Sequence, residues 1–194
     1  MRDIVFATNN LHKLRELREI ASDKLNILSL ADIGCHDDIE ETASTIEGNA
    51  IIKANHIKEH YGYDCFADDT GLEVDALGGA PGVHTARYAG DDCNSENNID
   101  LLLANLNGNA NRAAQFRTCI ALRQADDIHT FQGVVRGNIL TCRQGNGGFG
   151  YDSVFAPIES DGRSFAQMSP DEKNAISHRG RATKLLLDYL LHEL

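Results

Sequence analysis

The sequence predicts an α/β protein, a mixed sheet flanked by helices, with two lobes and a ligand cleft between them. Three observations predict it. A continuous apolar run, Ile4-Val5-Phe6-Ala7, is followed by Leu11, Leu14, Leu17, Ile20 and Ala21 at helical spacing, the pattern of a strand feeding a helix. A second helical pattern, Glu47 to Tyr61, precedes a second short strand, Asp64 to Ala67. Two longer runs then alternate with period two, Phe116, Thr118, Ile120, Leu122 and His129, Phe131, Gly133, Val135, about an Ala125-Asp126-Asp127 turn, which reads as an antiparallel hairpin. Strand-helix units together with a hairpin give a mixed sheet, and such folds place ligands in a cleft.

Size and composition narrow the function. A chain of 194 residues suits one domain of two-lobed shape with a real core. A net charge of −11 excludes broad nucleic-acid binding, which depends on clustered Lys and Arg. A polyanionic ligand would have to be met by local lysines and a metal. The amino terminus runs straight into a strand pattern without an apolar signal segment, and nothing approaches a membrane span. The five cysteines stand singly, so neither a disulfide framework nor a Cys-rich zinc site is indicated, and the cytoplasm is the expected location.

In chain order, Thr8-Asn9-Asn10 joins the first strand to the first helix. A strand, a polar loop and a helix start form an anion site, with an Asn cap and backbone N–H groups directed at phosphate. Lys13 lies one turn in; it either reaches back to that site or is solvated. Residues 31–46 are polar and acidic and read as a solvated loop. The helix from Glu47 to Tyr61 buries Ala50, Ile51, Ala54 and Ile57 and carries Lys53. It also contains His56-Ile57-Lys58-Glu59-His60, which fits the H-x-x-E-H zinc pattern but lacks a further ligand, and is read as surface histidines.

The central stretch, Ala67 to Gly90, holds four acids and five glycines. Asp68 and Asp69 are expected where the Asp64–Ala67 strand ends, with Thr70-Gly71 turning the chain. Two readings stand: a surface turn, or a carboxylate site in which one acid keeps its proton or a cation sits between them, Mg²⁺ being the ordinary candidate. Ser95 then caps a helix burying Ile99, Leu102, Leu103 and Leu106. Gly145 to Gly150 satisfies G-x-G-x-x-G, but a strand-like Tyr151–Pro157 follows where a dinucleotide fingerprint needs a helix. The glycines are read as letting the backbone approach a flat ligand, with Phe149 either stacking on a base or lying in the core. Ser169-Pro170-Asp171-Glu172 is a capped helix start, followed by Lys173 and the basic segment Ser177 to Arg181. Ala182, Leu185, Leu186, Tyr189 and Leu190 give a terminal amphipathic helix.

Four motifs, "ATNNLHK", "FADDTGLEVDALGGAPGVHTARYAG", "GGFGYD" and "SHRGRA", resemble in order and spacing those of the inosine/xanthosine triphosphate pyrophosphatase family, over nearly the whole chain. That resemblance implies a central nucleotide-binding cleft. It implies hydrolysis of ITP, dITP or XTP between the α and β phosphates, to a monophosphate and pyrophosphate, with Mg²⁺. By the same resemblance, Asp69 is the base and a metal ligand, and Asp68 and Glu40 complete the metal site, with Glu41 as the alternative to Glu40. The loop Thr8, Asn9, Asn10, Leu11, His12 and Lys13 grips the phosphates with Lys53 and Lys173. Thr70, the segment Phe149, Gly150, Tyr151 and Asp152, and His178 with Arg179 contact the nucleotide. Donors at His178 or Arg179 would favour a 6-oxo purine over adenine. The resemblance further implies a homodimer. Two other readings remain: a pyrophosphatase for other modified nucleotides, and a nucleotide-binding protein without catalysis.

Overall fold

The computed structural model describes residues 2–21 and 25–192. Among them lie seven strands: β1 (Arg2–Phe6), β2 (Leu25–Leu28), β3 (Cys65–Val74), β4 (Pro81–Gly82), β5 (Ala113–Gln124), β6 (Asp127–Ile139) and β7 (Phe155–Pro157). The helices are α1 (Leu11–Ala21), α2 (Ile46–Tyr61), α3 (Ser95–Asn105), α4 (Pro170–Ile176) and α5 (His178–His192). The sheet runs in the order β2-β1-β3-β5-β6-β7, with β4 paired to β3 off that path. It is mixed, as expected: β1 pairs in parallel with β2 and β3, while β6 and β7 are antiparallel. β5 and β6 are hydrogen-bonded neighbours joined by only Ala125 and Asp126, a connection that only antiparallel strands allow. No helix among the described residues is long and apolar enough to cross a membrane.

Contacts divide the chain into two compact units. The first comprises Met1–Asp69, Cys119–Gln132 and Ala182–Leu194; the second, Thr70–Thr118 and Gly133–Arg181. In the first unit the sheet separates two cores. Ile4, Phe6 and Phe66 pack with Leu14 and Leu17 of α1 and with Ala182, Leu186 and Leu190 of α5. Val5, Ala7, Cys65 and Ala67 point the other way, against Ala50, Ala54 and Ile57 of α2. Strand alternation requires that division, since successive side chains leave a strand on opposite faces. The second unit has one core, in which Leu72, Val74, Phe116 and Phe155 meet Ile99 and Leu102 of α3.

Several local expectations change in the fold. β3 does not end at Ala67 and Thr70-Gly71 is no turn; the strand continues to Val74 because Leu72 and Val74 are fully buried in the second unit's core. Asn94, not Ser95, caps α3, its side chain accepting from Asn97 N–H. Tyr151 begins in a 3-10 turn, Gly150–Ser153, and the strand starts only at Phe155. Leu185 is exposed on α5, where Ala182, Leu186 and Leu190 form the buried stripe. The Ser169 capping box forms as read: Ser169 Oγ accepts from Glu172 N–H, and the Glu172 carboxylate accepts from Ser169 N–H at 2.8 Å.

Candidate active site

In the first unit the site begins where β1 ends. Ala7 N–H donates to the Phe66 carbonyl at 2.8 Å, which brings the Thr8–Asn10 loop, at the carboxyl end of β1, beside the first residues of β3. The loop is a helix cap in the expected sense: Asn10 Oδ1 accepts from Lys13 N–H, and Thr8 Oγ1 accepts from Asn10 N–H. Leu11 projects into solvent; the side chain of His12 lies outside the described residues. From the first turn of α1, Lys13 Nζ reaches the Asp68 carboxylate, 3.0 Å from Oδ1 and 2.8 Å from Oδ2.

Asp68 and Asp69 meet their lysines from opposite faces of β3. β3 stays extended through both, so their side chains take opposite faces, Asp68 with Phe66 on the α1 side and Asp69 with Cys65 and Ala67 on the α2 side. Each meets a different lysine. Lys13 holds Asp68, whereas Lys53 of α2 lies 3.9 Å from Asp69 Oδ1 and donates at 2.7 Å to the Asp68 backbone carbonyl. The expectation of two mutually repelling carboxylates rested on a strand end that the fold does not have.

The α2 face carries the denser arrangement. Lys53 Nζ also donates to Glu41 Oε1 at 2.6 Å, and Asn49 Nδ2 donates to Asp69 Oδ2 at 3.3 Å. Burial works against the charge on Lys53, but the carboxylates of Asp68, Asp69 and Glu41 outweigh it and hold its pKa above the ordinary 10.5. Glu40 is exposed, so of the two glutamates it is Glu41 that meets this cluster. Among the described residues no three His, Cys, Asp or Glu side chains form a metal cage. Magnesium does not need one, because it keeps waters and takes phosphate oxygens beside one or two carboxylates. Glu41 and Asp69 are hard oxygen donors facing one cationic point, now taken by Lys53, and that donor set fits Mg²⁺. The H-x-x-E-H histidines are engaged elsewhere, His56 with Asp37 at 2.7 Å and His60 with the His56 carbonyl.

The second unit brings rings and cations together. Phe149 is 48% exposed, which removes the plain-core reading. Lys173 Nζ stands 4.8 Å from its ring centroid and the Arg179 guanidinium 5.7 Å. Lys173 also pairs with Asp152 at 2.6 Å, and the same carboxylate oxygen accepts from Phe149 N–H at 2.8 Å. The glycines before Phe149 admit close approaches within the chain itself: a Cβ on Gly148 would fall 2.0 Å from Asp152 Oδ2, and one on Gly145 would fall 2.6 Å from the Ala166 carbonyl. His178 is buried and stacked on Phe116, centroids 4.7 Å apart, so its ring is part of the core as well as of the first turn of α5. Tyr151 is buried too, its hydroxyl donating to the Thr85 carbonyl at 2.9 Å. Thr70 pairs with Thr118 through their hydroxyls at 2.7 Å.

A family model described as the Ham1 family matches residues 4–189. The chain belongs to the Ham1 family. A protein of Flavobacterium psychrophilum, "dITP/XTP pyrophosphatase", is 54% identical over 186 residues, covering 96% of this chain and 97% of that one. One of the same name from Porphyromonas gingivalis is 50% identical over 98% of both. Among solved structures, the Staphylococcus aureus Ham1 protein superposes with a TM-score of 0.92 at 37% identity, over 99% of this chain and 100% of that one. A Ham1 protein from Coxiella burnetii gives 0.93 at 38% identity, with the same coverage of both chains.

In this Ham1 chain, sequence reading singled out the Thr8–Asn10 loop and Phe149, the latter with stacking and core readings both open, but not Asn49. A buried Asn in the second turn of a helix has no motif of its own. The available signal was its spacing, four residues before Lys53 and hence on the same helix face.

Proposed function

We propose that this Ham1-family protein hydrolyses aberrant purine nucleoside triphosphates, ITP, dITP and XTP, to the monophosphate and pyrophosphate. The cluster of Asp69, Asn49, Lys53 and Glu41 carries the reading, supported by near full-length similarity to proteins named dITP/XTP pyrophosphatases. Asp69 accepts the proton of the attacking water, and the raised pKa of Lys53 keeps a positive charge beside it throughout the neutral range. Lys13 and the capped loop Thr8–Asn10 orient phosphate oxygens by charge and by the polar groups of the loop. Lys53 and Lys173 add further charge. Glu41 and Asp69 would hold Mg²⁺, which when bound neutralises phosphate charge and acidifies water.

The exposed ring of Phe149 suits stacking by a purine, and Arg179, whose guanidinium stands 5.7 Å from the ring centroid, suits a 6-oxo acceptor. Resemblance supports a homodimer working in the cytoplasm as the setting.

The test is a product assay with ITP, dITP, XTP, ATP and GTP in Mg²⁺, on wild type and Asp69→Asn. We expect pyrophosphate chiefly from the first three, and a loss of about a thousandfold or more in the variant. Orthophosphate as the product, or preference for ATP, would overturn the reading.

A further inference from the structure

Asn49 is fully buried, yet it is polar and the scheme above gives it no step. It lies on α2, whose start is fixed by Thr45 Oγ1 accepting from Gly48 N–H. Residues before the cap fold closely over that helix, since a Cβ on Gly48 would lie 2.6 Å from Ala43 Cβ. Asn49 ties this segment down: its Oδ1 accepts from Ala43 N–H at 2.9 Å while its Nδ2 donates to Asp69 Oδ2 at 3.3 Å.

The direction of that amide is forced. A backbone N–H can only donate, so the amide oxygen must face Ala43 and the NH₂ must face Asp69. An NH₂ facing a carboxyl is best satisfied by the ionised form, because a protonated oxygen there would oppose donor to donor. Glu41 lies only two residues before Ala43. One buried side chain therefore connects the strand that carries the base to the segment that carries the other carboxylate.

Resting on the pyrophosphatase reading, we infer that Asn49 is a positioning residue for the reaction. It fixes the rotation of the Asp69 carboxylate and sets the distance from Asp69 to Glu41. A buried Asn that only anchored the helix start would need the Ala43 contact and nothing more.

The variant that separates the two roles is Asn49→Asp. It is isosteric and keeps an acceptor for Ala43 N–H, but it sets a carboxylate oxygen against Asp69 in place of a donor. We expect kcat for ITP to fall about 10- to 100-fold, as for other lost supports of reacting groups. KM should change less than about threefold. Should Asn49→Asp not fold, Asn49→Ser, too short to reach Asp69 and uncharged, is expected to lower kcat by less, again with KM nearly kept. Thr45→Ala, which removes the α2 cap but leaves both Asn49 bonds, should lower the melting temperature and keep kcat per folded molecule. An unchanged kcat per folded molecule in the Asn49 variants overturns the inference and leaves Asn49 a helix anchor. Wild type that turns over ITP beside such variants defeats the role of Asn49 alone. Wild type that releases no pyrophosphate from ITP defeats the pyrophosphatase reading and the catalytic role together.

Discussion

The two clusters set equally buried lysines in different company. On the α2 face, Lys53 is enclosed by carboxylates and a carbonyl, its side chain 15% exposed, and the surrounding charge holds its pKa up. At Phe149 the ring stays open to solvent while Lys173, paired with Asp152, and Arg179 stand near it. A closed set of alternating charges suits a step in which charge moves. An open ring beside cations suits recognition of something flat. Identical functional groups, equally buried, thus suit different tasks through their neighbours.

The comparison breaks most visibly at Asp69→Asn, where turnover should vanish while nucleotide binding survives. Phe149→Ala should do the converse: KM for ITP rises about tenfold with kcat nearly kept, from the loss of roughly 1–3 kcal/mol of stacking. A fall in kcat with unchanged KM would place Phe149 with the reacting groups instead. Lys53→Met sharpens the first cluster through stability. Because the folded pKa of Lys53 is raised, its contribution is complete below the unfolded value of 10.5 and disappears as pH climbs through the folded value. The variant should therefore be less stable by about 2 kcal/mol near neutrality. The melting-temperature gap to wild type should close only above pH 10.5; a gap that closes at lower pH counts against the assignment. The smallest effect belongs to Glu172, whose pKa is lowered to about 2 by Arg163 and by the Ser169 backbone and hydroxyl. A lowered carboxyl stabilises above its unfolded value of 4.5 and loses that contribution as pH falls towards 2, so Glu172→Gln should flatten the acid arm of the stability curve slightly.

Much of this was legible because it is local. The Asn10 cap, the Ser169 box, the α2 stripe and the tight hairpin each follow from a few neighbouring residues. β3 was not legible beyond Ala67. Asp68-Asp69-Thr70-Gly71 holds two acids and a glycine, poor strand formers in isolation, and distant burial of Leu72 and Val74 overrides that preference. The misplaced strand end hid the key geometric fact, that the two aspartates face opposite ways. Asn94 and Ser95 are both good caps, so local chemistry does not choose between them. Leu185, Leu186 and Leu187 are consecutive, and only packing decides that Leu185 is the one left outside.

The first unit closes its α1-side core with Ala182, Leu186 and Leu190, residues from the far end of the chain. Asp68, Lys13 and Lys53 all come within the first seventy or so positions, yet the layer behind them waits for α5 to leave the ribosome. A nascent chain arrested before Ala182 would hold most of the charged residues of the α2 face without the apolar backing of the sheet they stand on. Helix α5, which carries none of those charges, is thus the part of the first unit's α1-side core that is synthesised last.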